Sequence, residues 1–153
     1  MNSPLSRKPK APDNTALIYQ LLKTVEGNKK CFDCCSRYPT DINVTCWTFV
    51  CARCSGLLRD FGHRIKSISA SRFSDEEVDS LSLNGNVIAA TIWLASWSPQ
   101  IFNQPNEDDN FALKAFMKEK YENLRYYRGP KQPSVDLVFF INLESNSTKD
   151  AAS

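Results

Sequence analysis

The first part of the chain carries a stripe of apolar residues at helical spacing. Its members recur every three or four positions and are Leu17, Ile18, Leu21, Leu22 and Val25. Asn14 or Thr15 stands before the stripe and offers a side-chain oxygen that can cap a helix, and Gly27 follows it. The pattern therefore predicts a helix from about residue 14 that Gly27 ends, with the stripe as its core face.

The next part of the chain changes from helical spacing to a composition typical of strands. Residues 42–50 (INVTCWTFV) are β-branched and aromatic with no breaker, which predicts a single strand. Residues 64–69 (RIKSIS) predict another strand, although their alternation is imperfect. Between the two strands, residues 55–60 (SGLLRD) predict the start of a short helix directly after Cys54.

Helical signals return after residue 73. Ser74 and Glu77 form a capping box, which predicts a helix that stops at the Asn-Gly pair at positions 84 and 85. Asn86 is placed to cap the following helix. We expect that helix to bury the apolar residues Val87, Ile88, Ile92, Trp93 and Trp97.

A polar, acidic loop over residues 103–110 precedes the last predicted helix. That helix is expected to run from Asn110 to about Tyr127, because Gly129 and a proline follow. Its apolar face consists of Leu113, Phe116, Met117, Tyr121 and Leu124. We interpret this face as part of the core.

The two ends of the chain differ in composition from the part between them. Residues 1–13 contain three prolines and three basic residues with little to bury, which predicts a disordered lead. Residues 14–130 are predicted to form one domain, and residues 131–153 a tail or linker. Within the tail, the apolar run 135–141 is either a strand or an exposed segment, because one apolar run has no periodicity.

Composition narrows the class of protein. The chain has 153 residues, 24% of them charged, and a net charge of +2, which gives weak support to a nucleic-acid role. No apolar run approaches the roughly 20 residues that span a bilayer, and we expect no transmembrane segment. The N-terminus lacks the apolar stretch of a secretory signal, so we expect reduced thiols in the cytoplasm or nucleus.

Four of the six cysteines form two C-x-x-C pairs. Cys31 and Cys34 are separated by sixteen residues from Cys51 and Cys54, a spacing that lets four thiolates converge on one tetrahedral ion. Zn²⁺ suits such an all-sulfur site, and a site with four protein ligands is structural because no position stays open for water. A helix that begins beside Cys54 would aim backbone amides at the thiolates.

Two cysteines remain outside this pattern. We expect Cys35 and Cys46 each to be small buried residues, since neither completes another pair. Cys35 is also an alternative ligand in place of Cys34, although pairing Cys31 with Cys34 preserves the two-residue spacer.

Two functions would use such a rigid zinc unit. One is presentation of a side chain or surface to a protein partner, and the other is nucleic-acid binding. Basic residues lie near the cysteines in sequence: Lys29, Lys30, Arg53, Arg59, His63, Arg64 and Lys66. Charge compensation of a dianionic four-cysteine zinc centre explains such cations equally well. A protein that binds in a nucleic-acid groove also usually carries a denser row of basic residues.

The pattern C-x₂-C-x₁₆-C-x₂-C-x₄-R, with Ser-Gly directly after the last cysteine, resembles the ArfGAP (Arf GTPase-activating protein) domain family. Further matching blocks are HRIKSIS at 63–69 and FMKEKYE at 116–122. The resemblance covers roughly residues 14–130. Within the family, residues 47–50 and the HRIKSIS block are most similar to the branch of FG-repeat ArfGAPs and their plant relatives.

The resemblance implies a fold and a function. The fold is α+β: a small three-stranded antiparallel sheet around a four-cysteine zinc site, surrounded by about five helices. The function is stimulation of GTP hydrolysis on a GTP-bound Arf-family small GTPase in vesicle trafficking, with Arg59 as an arginine finger. The protein would be a GTPase activator without a complete active site of its own. It would be cytoplasmic and recruited through its partner to Golgi, endosomal or vesicle membranes, with a nuclear location as an alternative.

Three departures from the family pattern bear on activity. Asp41 stands where many members have an aromatic residue near the nucleotide and Arf. Trp47 stands where many have glycine, and is either an aromatic contact or buried support. The stretch between Arg59 and His63 is short. An interaction module that keeps the fold with weak activity is therefore the alternative within the family, and a nucleic-acid-binding zinc finger the alternative outside it.

Overall fold

A computed structural model describes residues 13–98 and 109–129 as five α-helices around a small sheet. In chain order the elements are α1 (Asn14–Thr24), β1 (Asp41–Asn43), β2 (Thr48–Val50), α2 (Ala52–Asp60), β3 (Ile65–Ser67), α3 (Asp75–Leu83), α4 (Gly85–Trp93) and α5 (Asn110–Met117). A 3₁₀ turn (Glu26–Lys29) follows α1, and a π-helical turn (Lys118–Glu122) continues α5. The expected α+β architecture is confirmed.

The sheet is antiparallel in the order β2-β1-β3. Ile42 pairs with Phe49 on one side and Lys66 on the other. The single strand predicted over 42–50 is wrong, because the chain turns back within it. The Asn43 side chain accepts hydrogen bonds from the amides of Thr45 and Cys46, an Asx-type turn that needs neither glycine nor proline.

α1 is confirmed, but both predicted caps are wrong. Asp13 caps the helix by accepting a hydrogen bond from the Ala16 amide at 2.7 Å. Asn14 is the first helical residue, and its side chain donates to the Phe73 carbonyl and the Asp75 carboxylate. Gly27 lies inside the 3₁₀ turn instead of ending α1.

α3 begins with the predicted capping box of Ser74 and Glu77. α4 differs from the prediction in two ways. Asn86 lies inside the helix and makes tertiary hydrogen bonds instead of capping it. Of the predicted buried residues, Trp93 is buried, whereas Val87 and Ile88 are 56% and 42% exposed. The buried stripe of α4 includes Ala89 instead.

The last helix is shorter than predicted. α5 starts at Asn110 as expected but gives way to the π-helical turn at Lys118. The chain leaves helical geometry at Leu124, whose φ is +54°, so the helix does not reach Tyr127. Three predicted segments lie outside the described residues: residues 1–12 of the lead, most of the 103–110 loop, and the 135–141 run.

The buried side chains form two clusters. One contains the cysteine pairs and packs against α2, α4 and α5 through residues such as Leu58, Trp93 and Met117. The other joins the sheet to α1 and α3 through Ile18, Phe49 and neighbouring residues. The sheet therefore lies between the cysteine region and the α1–α3 layer.

No helix in the described ranges is long and apolar enough to cross a bilayer.

Candidate functional site

The four predicted metal ligands are brought together. The sulfur atoms of Cys31, Cys34, Cys51 and Cys54 all lie within 4.8 Å of one another, and those of Cys34 and Cys51 are 3.7 Å apart. A tetrahedral zinc site with Zn–S bonds of about 2.3 Å requires sulfur separations of about 3.8 Å. The donor set and its spacing therefore fit a zinc ion.

Backbone hydrogen bonds hold the first cysteine pair in a tight loop. The Cys31 amide donates to the Ser36 carbonyl at 2.7 Å, and the Cys35 amide donates to the Cys31 carbonyl at 2.9 Å. The Phe32 amide donates to the Phe49 carbonyl, which ties the loop to β2. The Asp33 amide approaches the Cys31 sulfur at 3.4 Å and can stabilise a thiolate there.

The second cysteine pair forms the start of α2. Cys51 is the N-cap, and its sulfur accepts a hydrogen bond from the Cys54 amide at 3.4 Å. The helix therefore begins at Ala52, three residues earlier than predicted. One of the expected amides at the helix N-terminus, that of Cys54, does face a cysteine sulfur, where the helix dipole favours negative charge.

Mutual hydrogen bonding spreads the pKa values of the four thiols apart. Hydrogen bonding from Cys31 lowers the pKa of Cys34 to about 6 and also lowers that of Cys51. The same contacts raise the pKa values of Cys31 and Cys54. A bound cation requires all four thiols to be deprotonated, so acid competes with the metal.

The two remaining cysteines have different surroundings. Cys46 is buried, as expected. The prediction for Cys35 is wrong: it is exposed, with a φ of +66° in the turn after Cys34. Its sulfur is outside the four-sulfur cluster, which contains Cys34 and not Cys35.

A buried ion pair joins the first cysteine loop to the C-terminal helical segment. Lys120 and Asp33 are both fully buried, with Nζ 2.5 Å from the carboxylate. The Tyr121 hydroxyl donates to the same carboxylate at 2.7 Å. Burial, with the Asp33 charge, raises the pKa of Tyr121, so the hydroxyl keeps its proton and remains a donor.

Lys120 has no role predicted from the sequence. The π-helical turn directs the consecutive residues Lys120 and Tyr121 into the core together. The Lys120 ammonium also lies over the rings of Phe32 and Phe116. A signal was present in the sequence, because Lys120 is four residues after Phe116 and seven after Leu113, on the apolar face of the helix.

Arg59 lies near the other end of the helix that Cys51 begins. Cys54, Ser55 and Leu58 form the buried face of α2, whereas Arg59 is exposed. Its neighbour Asp60 pairs with Lys114 at 3.3 Å. Within the described residues Arg59 forms no ion pair, so its guanidinium is available to a partner.

The short stretch after Arg59 is a defined helix end. Gly62 has a φ of +81°, and its amide donates to the Arg59 carbonyl at 3.0 Å. The His63 amide donates to the Leu58 carbonyl at 3.2 Å. This pair of bonds around a left-handed residue is a Schellman motif, which restricts the last turn of α2, where Arg59 lies.

Asp41, in β1, holds α2 through a side-chain hydrogen bond. The residue is only 9% exposed, and its carboxylate accepts a hydrogen bond from the Ser55 hydroxyl at 2.6 Å. In this chain the position therefore stabilises the arginine-bearing helix and adds little to the exposed surface. Trp47 is half-buried against the second core cluster, which favours the interpretation as buried support.

Two of the basic residues near the cysteines are engaged internally. Lys66 pairs with Glu77 at 3.0 Å. His63 is half-buried, accepts a hydrogen bond from the Asn43 amide group at 2.9 Å and packs edge-on against Tyr121. Burial lowers the pKa of His63, which favours the neutral ring.

We predict that Lys120→Met destabilises the domain by about 3–5 kcal/mol, because it leaves the buried Asp33 carboxylate without its cation. The free energy of unfolding in urea measures the effect. The double variant Lys120→Met/Asp33→Asn removes both charges and is expected to recover part of the loss. A single variant within about 1 kcal/mol of wild type would show that the pair is not important for stability.

We predict that Asp41→Ala destabilises the domain by about 1.5–3 kcal/mol, the usual contribution of a hydrogen bond to a charged group. Asp41→Asn is the matched control, because its side-chain oxygen still accepts from Ser55 and the loss should be smaller. Thermal unfolding of both variants measures this difference. Equal stability of the two variants would contradict the supporting role of this contact.

Comparisons with known proteins agree with this geometry. Residues 16–130 match the ArfGap family model, described as "Putative GTPase activating protein for Arf". Arf-GAP domain and FG repeat-containing protein 1 of Homo sapiens is 38% identical over 139 residues, which cover 88% of this chain and 25% of that protein. The probable ADP-ribosylation factor GTPase-activating protein AGD14 of Arabidopsis thaliana is 37% identical over 113 residues, 74% of this chain and 17% of that protein.

Solved structures give the same result. The ArfGap domain of human RIP superposes with a TM-score of 0.75 and 35% identity, covering 82% of this chain and 94% of that one. The ArfGap domain of HIV-1 Rev binding protein has a TM-score of 0.70 and 37% identity, over 80% of this chain and 92% of that one. The chain spans about a quarter of the length of the first of these curated relatives. With the four-cysteine cluster in place and the match extending over residues 16–130, the chain belongs to the ArfGap family.

Proposed function

We propose that this protein stimulates GTP hydrolysis on a GTP-bound Arf-family GTPase by supplying Arg59 in trans. The observation that carries the proposal is the position of Arg59. It is exposed and without an ion pair in the described part of the chain, on a nine-residue helix whose N-cap belongs to the cysteine cluster. Family membership supplies the partner class.

The chemistry of GTP hydrolysis explains the use of arginine. In the transition state, negative charge spreads over the γ-phosphoryl and the leaving oxygens. A guanidinium stays charged at physiological pH and donates two parallel hydrogen bonds to such oxygens. The GTPase would supply the phosphate-binding loop, Mg²⁺ and the residue that orients water. The protein would thus complete a partner's active site.

Positioning is the contribution of the fold to this reaction. The Schellman motif at Gly62 and the Asp41–Ser55 hydrogen bond restrict the helix at two points near Arg59. A helix held in place in advance leaves less backbone freedom to lose when its arginine docks, which favours catalysis over mere binding. Both contacts therefore support an active finger in this chain despite the departure at Asp41.

We further propose that Zn²⁺ occupies the four-cysteine cluster and is structural. Cys31, Cys34, Cys51 and Cys54 would be its ligands, and a closed site of four thiolates leaves no position for a reacting water. The bound ion would join the first cysteine loop to the N-terminus of α2. Its chemical contribution would be to fix the helix that carries Arg59.

The place of action is proposed from the family alone. Arf-directed activators in vesicle trafficking would act on the cytoplasmic side of Golgi, endosomal or vesicle membranes, where the GTP-bound partner recruits them. Lys66 and His63 give no support to the nucleic-acid alternative, because both side chains already bond to partners within the domain.

We predict that Arg59→Ala lowers the stimulated rate of GTP hydrolysis by about 10³-fold or more, the effect known for arginine fingers. Single-turnover hydrolysis by GTP-loaded Arf measures this rate. Arg59→Lys should lose most of the stimulation as well, because lysine lacks the planar fork. Arg64→Ala, at another exposed arginine outside α2, is the control and should stay close to wild type.

The same assay separates the alternatives. If wild type and Arg59→Ala were equally inactive while both bound Arf, the protein would be an interaction module with weak or no activity. If the wild type stimulated hydrolysis and Arg59→Ala kept that rate, the finger assignment would be wrong although the activity was real.

We predict about one zinc per chain in the purified protein. The adjacent residues Cys34 and Cys35 provide a matched pair of variants. Cys34→Ser should lose zinc and most of the folded structure, because ligand loss removes folding free energy, whereas Cys35→Ser should keep both. Metal analysis by mass spectrometry and circular dichroism measure the outcome. Zinc loss in Cys35→Ser alone would show that Cys35 is the ligand instead.

A further inference from the structure

A groove rich in cationic side chains lies at the C-terminal end of α1. It has a volume of about 530 Å³ and is formed by the end of α1, the 3₁₀ turn and residues 30–38. Its charged lining residues are Lys23, Glu26, Lys29, Lys30 and Arg37. We refer to this feature as the basic groove. Neither Arg59 nor a cysteine of the cluster lines it.

The basic groove has an excess of positive charge. Four cations face one carboxylate there, whereas the whole chain has a net charge of only +2. Glu26 pairs with Lys29 at 2.9 Å, and Lys29, with Arg37 and Lys30 at longer range, holds the pKa of Glu26 below its usual value. Lys23, Lys30 and Arg37 form no ion pair with any residue that the structure describes.

Two of these cations are placed directly opposite each other. Lys30 and Arg37 form an isolated antiparallel β-bridge, and the Tyr38 amide donates to the Lys29 carbonyl beside it. Like charges at directly opposed positions of an antiparallel pair are destabilising. An anion bound between the two side chains would remove that repulsion, so the local backbone geometry favours an anionic ligand.

A second groove shows that this charge excess is not general. It has a volume of about 480 Å³ and lies between the end of α2 and α5. Its two cations, Lys114 and Lys118, are matched by two carboxylates, Asp60 and Glu122, and Lys114 and Asp60 form an ion pair. The excess is therefore a local property of the basic groove.

Apolar side chains adjoin the basic groove, and some of them are exposed. Leu22, which is half-buried, and Tyr38, which is 77% exposed, line it. Gly27, next to Glu26 in sequence, lies against the exposed Val87 of α4. Cations that bind phosphate beside exposed aromatic and aliphatic side chains are typical of surfaces that rest at a membrane interface.

We propose that the basic groove binds the phosphorylated headgroup of an anionic membrane lipid. A headgroup with several phosphates suits a concave site with one guanidinium and three ammonium groups. The protein then attaches to a membrane directly, in addition to any recruitment by its GTPase. This inference is independent of Arg59 and its activity.

Sedimentation with phosphatidylcholine vesicles that contain phosphatidylinositol bisphosphate tests the proposal, using the full zinc-loaded chain without any GTPase. Wild type should bind these vesicles and not vesicles of phosphatidylcholine alone. Lys30→Gln/Arg37→Gln should weaken binding by about 25-fold, at about fivefold per cation near an anionic surface. Lys114→Gln/Lys118→Gln removes the same charge from the second groove and should bind like wild type.

Three results would overturn the proposal. One is absence of wild-type binding to the phosphoinositide vesicles. Another is an equal loss in the two double variants, which would indicate attraction to the whole surface and not a site. The third is binding of soluble inositol trisphosphate or an acidic phosphopeptide without binding to vesicles, which would make the ligand a free anion or a protein. Circular dichroism of each variant confirms that it is folded.

Discussion

The convergence of four sulfur atoms is the constraint on which the rest of this structure depends. Each strand has only three residues, and so short a sheet has little independent stability. The cysteine cluster joins the loop before β1 to the helix after β2, so it closes the hairpin from outside. A cation that neutralises the thiolates would turn this contact into a source of folding free energy.

A second connection reaches the same loop from the far end of the domain. Asp33 lies between two cysteines of the cluster, and its partners Lys120 and Tyr121 come from the π-helical turn after α5. A buried ion pair of this kind contributes little net stability compared with apolar packing. The two side chains must nevertheless meet, because either partner alone would be a buried charge without its counter-ion. The pair therefore specifies where the C-terminal helical segment docks.

These two connections leave the exposed side of α2 free for function. The helix is held at its start by Cys51, along its buried face by Leu58 and the Asp41–Ser55 contact, and at its end by the Gly62 motif. Arg59 lies in its last turn. The basic groove uses other elements, so attachment to a membrane and action on a GTPase would be separable properties of one small domain.

Local chemistry let the sequence determine much of this protein by itself. Sulfur spacing identified the four clustered cysteines, side-chain oxygens identified the capping box at Ser74, and the family pattern singled out Arg59. Only the tertiary structure decided the roles that depend on distant partners. Asn86 is buried because β2 and the 3₁₀ turn bond to it, and Lys120 is buried because Asp33 faces it. The turn within 42–50 rests on local hydrogen bonds to the Asn43 side chain, a signal that a search for glycine and proline breakers misses. The facing of Lys30 with Arg37 depends on pairing between separate segments, which periodicity along one segment does not encode.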